Sequence, residues 1–203
     1  MKKVITIILI LILVGGVGFY SWKKLMPAQD ENTSVETSNQ KEVDVKQLLM
    51  DVMENKKKLI DEEKQEIYLK ELKIVENQTA EVEKYAYVDM DNDGVEELVI
   101  YTTSDYGAYV ILHYENEKVY GYKIGVRSLE NLKKDGSFMG SSGANSTEYL
   151  RMSFDKNTYT LKTEAIYDNT NKVYKINDET VTKKEIGKYA NDWDKKEDIV
   201  WSK

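Results

Sequence analysis

The stretch "YAYVDMDNDGVEELVI", residues 85–100, sets Asp89, Asp91, Asp93 and Glu97 into a run that is otherwise apolar and strand-like. Like charges at steps of two, two and four repel unless something positive sits among them. Two unit charges about 5 Å apart interact by roughly 3 kcal/mol at an effective dielectric of about 20. With Asp89 as the first position, carboxylates stand at 1, 3, 5 and 9. Alternate residues of a tight loop can converge on one centre, Gly94 at position 6 permits the sharp turn, and Val95 at position 7 can offer its carbonyl. A hard divalent cation turns the repulsion into binding energy. With oxygen donors only and no Cys or His close by in sequence, the expected ion is Ca²⁺, since Mg²⁺ retains more of its own water. Glu96 is expected to point to solvent. The alternative is a solvated acidic turn, because "DNDG" is good hairpin chemistry by itself.

These residues resemble two families. The D-x-D-x-D-G core is shared with EF-hand and dockerin-type loops, but Ile100 stands where an EF-hand has its bidentate Glu, and the flanks read as strands. The pattern D-x-D-x-D-G-x-x-E is more similar to the strand–loop–strand calcium hairpin of FG-GAP and integrin-type repeats. That resemblance implies acidic ligands at Asp89, Asp91, Asp93 and Glu97, with the carbonyl ligand at Val95. It covers about 20 residues in one copy, whereas FG-GAP loops recur in propellers, so it implies an ion and not a whole fold. The general layout also resembles small exported proteins of Gram-positive bacteria, which implies a location and calcium but no activity.

The elements that must hold this loop read as follows. Residues 84–88, 97–103, 108–114, 118–126, 137–141, 148–154, 158–167 and 172–176 are Tyr-, Val- and Thr-rich, and the clusters "ENEK", "KKDG", "DKNT", "DNTN" and "NDET" fall among them. Short strands punctuated this often predict an antiparallel meander. "RSLENL" and "DIVW" are candidates for further short strands. Val45, Leu48, Leu49, Val52, Met53, Leu59, Ile60 and Ile67 recur at three- and four-residue steps and predict an amphipathic helix over about 44–71, with a break near 61, covering the sheet. Thr182 and Glu185 have capping-box spacing and open a short C-terminal helix with Ile186, Tyr189, Ala190 and Trp193 on one face. The expected fold class is α+β: an antiparallel β-meander with an N-terminal amphipathic helix and a short C-terminal helix, preceded by a transmembrane helix.

Residues 4–22 are an uninterrupted apolar run flanked by Lys2, Lys3, Lys23 and Lys24. As a helix they span about 28 Å, against a hydrocarbon core of roughly 30 Å. Residues 1–24 are therefore expected to be a membrane anchor or uncleaved signal, and a cleaved signal peptide is the competing reading. Residues 25–42 are polar and aperiodic and read as a linker. Residues 43–203 form the expected extracellular calcium-binding domain.

Composition closes off several functions. The chain has 203 residues, a net charge of −7, no Cys and one His. An acidic body argues against nucleic acid as a partner. The absence of Cys removes disulfides and thiolate chemistry, and a single His removes most zinc sites and catalytic triads. His113 reads as a structural residue in a strand, and no nucleophile motif is present. A hydrolase is the weakest reading, since its two carboxylates belong on opposite sides of a cleft. The expectation is a non-enzymatic, membrane-anchored bacterial surface protein with one structural Ca²⁺. The alternative is a binding module that recognises cell-wall glycan or a partner protein. Its contacts would come from the Tyr-rich strands (Tyr101, Tyr106, Tyr109, Tyr114, Tyr120 and Tyr122) or from the small polar loop 139–146.

The location reading has a direct check. The full-length chain is expected in the membrane fraction with its N-terminal segment intact, and N-terminal sequencing that begins near Gln29 would overturn stable tethering.

Overall fold

The structure is a computed structural model that describes residues 44–75, 78–79, 81–103 and 107–203. The expected anchor at 4–22 and linker at 25–42 lie outside the described residues, as does Tyr106. No helix among the described residues is long and apolar enough to cross a membrane.

The described chain is mostly β, with two helices, and falls in the α+β class. Helix α1 (Val45–Met53) is followed by β1 (Leu59–Ile60), β2 (Glu66–Ile67), a 3₁₀ turn (Leu69–Glu71), β3 (Lys73–Val75) and β4 (Gln78–Thr79). The meander then runs through β5 (Val82–Val88), β6 (Glu97–Thr102), β7 (Ala108–Glu115) and β8 (Lys118–Gly125). A second meander follows a 3₁₀ turn (Val126–Ser128): β9 (Phe138–Gly143), β10 (Ser146–Asp155), β11 (Thr158–Asp168), β12 (Val173–Ile176) and β13 (Glu179–Thr180). Helix α2 (Lys183–Asp194) closes the order. The first sheet has six strands in the order β2-β1-β8-β7-β6-β5, and the second has five in the order β13-β12-β11-β10-β9. All pairings are antiparallel except that of β1 with β8.

Three apolar clusters stack these elements into layers. Leu49, Val52 and Met53 of α1 pack on Leu98, Ile100, Val110 and Leu112, one face of the first sheet. Val99, Ile111, Tyr122 and Ile124 on the opposite face meet Phe138, Leu150 and Met152 of the second sheet. Tyr149 and Ala165 on the far side of that sheet meet Ile186 and Trp193 of α2. The order is helix, sheet, sheet, helix. Because the first sheet is covered on both faces, β6 is buried almost throughout, and its "ELVIYT" is a nearly continuous apolar run with no polar alternation.

The expected N-terminal helix is corrected: it stops at Met53 instead of reaching 71. Asn55 turns left-handed at φ 60°, and the amides of Lys56 and Lys57 both return to the carbonyl of Asp51. That is a helix C-cap. The later members of the apolar stripe serve other elements. Leu59 is buried in β1 against Gly121, and Ile60 pairs with Tyr120. The eight expected strands from residue 84 onward and the C-terminal helix are found. Thr182 and Glu185 exchange both bonds of a capping box. "RSLENL" gives a 3₁₀ turn and a single bridge from Glu130 to Met139, and the C-terminal segment contributes only the bridges Lys133 to Asp198 and Tyr85 to Ser202. The 139–146 segment is mostly strand: β9 and β10 turn back through Ala144 and Asn145, and the hydroxyls of Ser142 and Ser146 bond each other at 3.0 Å.

The turn at residues 133–137 braces the acidic loop. Gly136 has φ 77°, and a Cβ there would lie 2.4 Å from the carbonyl oxygen of Asp89. Gly94 is also left-handed, at φ 92°, but has open space around it. Gly136→Ala is therefore expected to cost roughly 2–4 kcal/mol, backbone strain plus overpacking, while Gly94→Ala costs only the strain of about 1–2 kcal/mol. Urea unfolding of the two variants checks this, and equal costs would mean that the close approach at Gly136 carries no weight.

Candidate metal centre

The loop joining β5 to β6 begins with Val88 paired to Glu97 and contains residues 89–96. Met90 is fully buried in the layer between the sheets, and this anchors the loop's second position while Asp89 and Asp91 remain half-buried. Asn92 at φ 62° and Gly94 at φ 92° reverse the chain. The three aspartates then collect the loop's own amides. Asp89 Oδ2 accepts from Gly94 N–H at 3.1 Å, Asp91 Oδ1 from Asp93 N–H at 3.2 Å, and Asp93 Oδ1 from Val95 N–H at 2.7 Å. One oxygen from each of Asp89, Asp91 and Asp93 falls in a single group whose members lie within 4.8 Å of one another. Asp89 Oδ1 is buried and has no hydrogen-bond partner. A buried carboxylate oxygen left unpaired is costly unless a cation or water meets it.

Glu97 is positioned differently. It opens β6 on the face that looks toward the second sheet and is 0 % exposed. Its Oε2 accepts from the Met90 amide at 2.7 Å, and its Oε1 lies 2.9 Å from Nδ1 of His113, which is 3 % exposed. Phe154 of the second sheet stacks on the imidazole, with ring centres 4.5 Å apart and planes 19° apart. Donor atoms of Asp91, Glu97 and His113 form a second group within 4.8 Å. The expected ligands thus fall into two overlapping triads that share Asp91. Asp89, Asp91 and Asp93 make one, and Glu97 joins Asp91 in the other.

Sequence reasoning missed His113 as a neighbour of this site. The signal was the hairpin register: Leu98 pairs with Leu112, so residue 113 falls opposite residue 97 one step further along. Glu96 does not simply face solvent. It is ion-paired with Lys46 of α1, whose ammonium also lies 5.0 Å from the centre of the Tyr87 ring. The Tyr87 hydroxyl donates to the Lys46 carbonyl at 3.2 Å, so the first turn of α1 is fastened to the outer rim of the loop. On the inner side Asp135 binds Ser137, Arg151 and Lys196. Burial works to raise its pKa, but the Lys196 ammonium and the Ser137 donors outweigh that and hold its carboxyl well below the usual range.

The Tyr-rich strands are packed. Tyr120 and Tyr122 are buried, Tyr101, Tyr109 and Tyr114 are half-buried, and no aromatic side chain among the described residues is fully exposed.

Comparison of the chain with protein-family models, curated proteins and solved structures found no match.

Burial raises the pKa of Asp91, with the Asp93 charge adding to it, and burial raises that of Glu97 against the opposing bonds from His113 and Met90. A carboxyl whose folded pKa is raised stabilises the fold below its unfolded value of about 4 and loses that contribution as pH rises through the folded value. Asp135, Asp168, Glu185 and Asp192 are shifted down, so their contributions change only in more acid solution. In chelator the thermal midpoint is therefore expected to be lower at pH 7 than at pH 5, with a smaller drop in Glu97→Gln. A midpoint that rises over this interval would contradict the burial of these charges.

Proposed function

We propose that the chain is a membrane-tethered, exported bacterial protein whose folded body binds one Ca²⁺ as a structural ion and performs no catalysis itself. The observation that carries the calcium part is the unpartnered, buried Oδ1 of Asp89 beside the carboxylates of Asp91 and Asp93. Asp89, Asp91 and Asp93 supply side-chain oxygens, the Val95 carbonyl supplies a further donor, and water completes the shell. Glu97, its oxygens held by the Met90 amide and the imidazole, adds its charge from the inner side. The Asx bonds along the loop already impose the curvature that a cation needs, so binding has little ordering left to do. Extracellular calcium of about millimolar fills sites with Kd near 10⁻⁴–10⁻³ M. Export and tethering rest on residues 1–24.

A second reading, a binding module, is favoured by one feature away from the loop. A cleft of about 620 Å³ beside α2 is lined by Tyr149, Tyr167, Lys183, Lys184, Lys188 and Asn191. Three lysines lining one cleft suit an anionic glycan better than a neutral one.

Calcium that binds the folded chain and not the unfolded one raises stability by RT ln(1 + [Ca²⁺]/Kd), about 2.7 kcal/mol at a hundredfold excess. Asp93→Ala is expected to abolish most of this increment. Glu96→Ala is expected to leave the increment intact and to cost at most about 1 kcal/mol through its ion pair with Lys46. Thermal unfolding in EDTA and in millimolar Ca²⁺ measures both. Identical midpoints for the unaltered chain in the two buffers would reduce the loop to a charged turn.

A further inference from the structure

Glu97 presents a problem that the calcium loop does not solve. It is a fully buried carboxylate, and among the described residues no Lys or Arg pairs with it. A charge out of water needs a counter-charge as well as hydrogen bonds, or it is held only at large cost. What faces it is His113 on one oxygen, the Met90 amide on the other, and the carboxylate of Asp91. Asp91 makes the electrostatics worse. Two carboxylates and one imidazole therefore converge here with only hydrogen bonds between them.

We propose that Asp91, Glu97 and His113 form a second cation position, inward of the calcium loop and sharing Asp91 with it, that takes a first-row transition cation such as Zn²⁺ or Mn²⁺. The donor set is one imidazole nitrogen and two carboxylates, which suits borderline cations and is unlike the all-oxygen shell of calcium. Nδ1 and Oε1 stand 2.9 Å apart as a hydrogen-bonded pair, so a tetrahedral cation with bonds of about 2.0–2.1 Å would part them by only about 0.4 Å. The surroundings are those of a supported ligand pair: the Met90 amide fixes the far oxygen of Glu97, and Phe154 fixes the imidazole plane. Asp91, half-buried, is the gate from solvent and the third donor. When the cation binds, it replaces the proton between Nδ1 and Oε1, and that proton leaves to bulk water. Asp89 and Asp93 belong to the calcium loop alone and His113 to this position alone, so variants at these residues separate the two.

The chain has one His, which makes the test direct. Full-length, tag-free protein labelled with ¹⁵N in histidine gives one set of ring-nitrogen signals. Zn²⁺ is added to it with and without Ca²⁺. One equivalent of Zn²⁺ is expected to shift the ring-nitrogen signals as direct ligation does, and Mn²⁺ to broaden them. Ca²⁺ alone is expected to leave the ring unligated. In calorimetry His113→Gln is expected to weaken Zn²⁺ binding by about a hundredfold while preserving stabilisation by Ca²⁺. Asp93→Ala is expected to do the reverse. Ring-nitrogen signals unmoved by excess Zn²⁺ and Mn²⁺ in the folded, unaltered chain would overturn the proposal without needing any variant. Zn²⁺ binding of equal strength in a folded His113→Gln protein would overturn it too. A Zn²⁺ response in a chain that Ca²⁺ fails to stabilise would support the inner position and remove the calcium reading.

Discussion

The carboxylate of Glu97 sits at the point where the acidic loop, the β6–β7 hairpin and the second sheet meet. Its bond to the Met90 amide closes the loop across seven residues. Its contact with His113 ties β6 to β7 beyond the last apolar pair, Leu98 with Leu112. Through the imidazole it reaches Phe154 of the second sheet. A carboxylate survives at such a junction only if its surroundings replace what water gave it. Much of the local architecture serves that demand: Met90 buried so that its amide points inward, and a histidine on a strand whose other buried residues, Ala108, Val110, Ile111 and Leu112, are apolar.

The layered packing makes this junction rigid. The first sheet is covered by α1 on one face and by the second sheet on the other, so β6 has no freedom to slide. A shift of one residue would exchange Leu98 and Ile100 with Glu97 and Val99 across the sheet and expose the charge to the wrong layer. The loop is clamped at both rims as well. Lys46 of α1 holds Glu96 and Tyr87 outside, and Gly136 lies against Asp89 and Met90 inside. The turn bearing Gly136 is in turn fastened by Asp135 to Arg151 and Lys196. The acidic loop is therefore not a free surface excursion: displacing it disturbs α1 and the second sheet.

What could be read from the sequence follows from how local each signal is. All eight strands expected from residue 84 onward are present because Tyr, Val and Thr runs between turn clusters are local signals, and the Thr182–Glu185 cap is local too. The N-terminal helix was overextended because Leu59, Ile60 and Ile67 continue a helical spacing by coincidence. Their partners are Gly121, Tyr120 and Leu59, and nothing in the stripe itself distinguishes a tertiary partner from the next turn of a helix. The convergence of Asp89, Asp91 and Asp93 was legible from alternation plus Gly94. The diversion of Glu97 was not, because it depends on His113, sixteen residues away, and on Phe154 in another sheet.

The division of the acidic residues into two triads follows from the same constraint. A fourth aspartate on a wide loop could turn outward to join the other three. Glu97 cannot do so freely, because it is the first residue of a strand whose pleat points it between the sheets, and its longer side chain finds the Met90 amide and the imidazole there. Asp91 belongs to both groups. A cation in the outer triad neutralises Asp91 and lowers the repulsion felt by Glu97. A cation in the inner triad does the same for Asp89 and Asp93. Two like-charged ions sharing one carboxylate also repel each other, at a separation that bridging carboxylates hold near 3.5–4 Å in general. Were both positions filled, the net coupling between them would be the difference between relief of a three- or four-carboxylate crowd and the repulsion of the two ions.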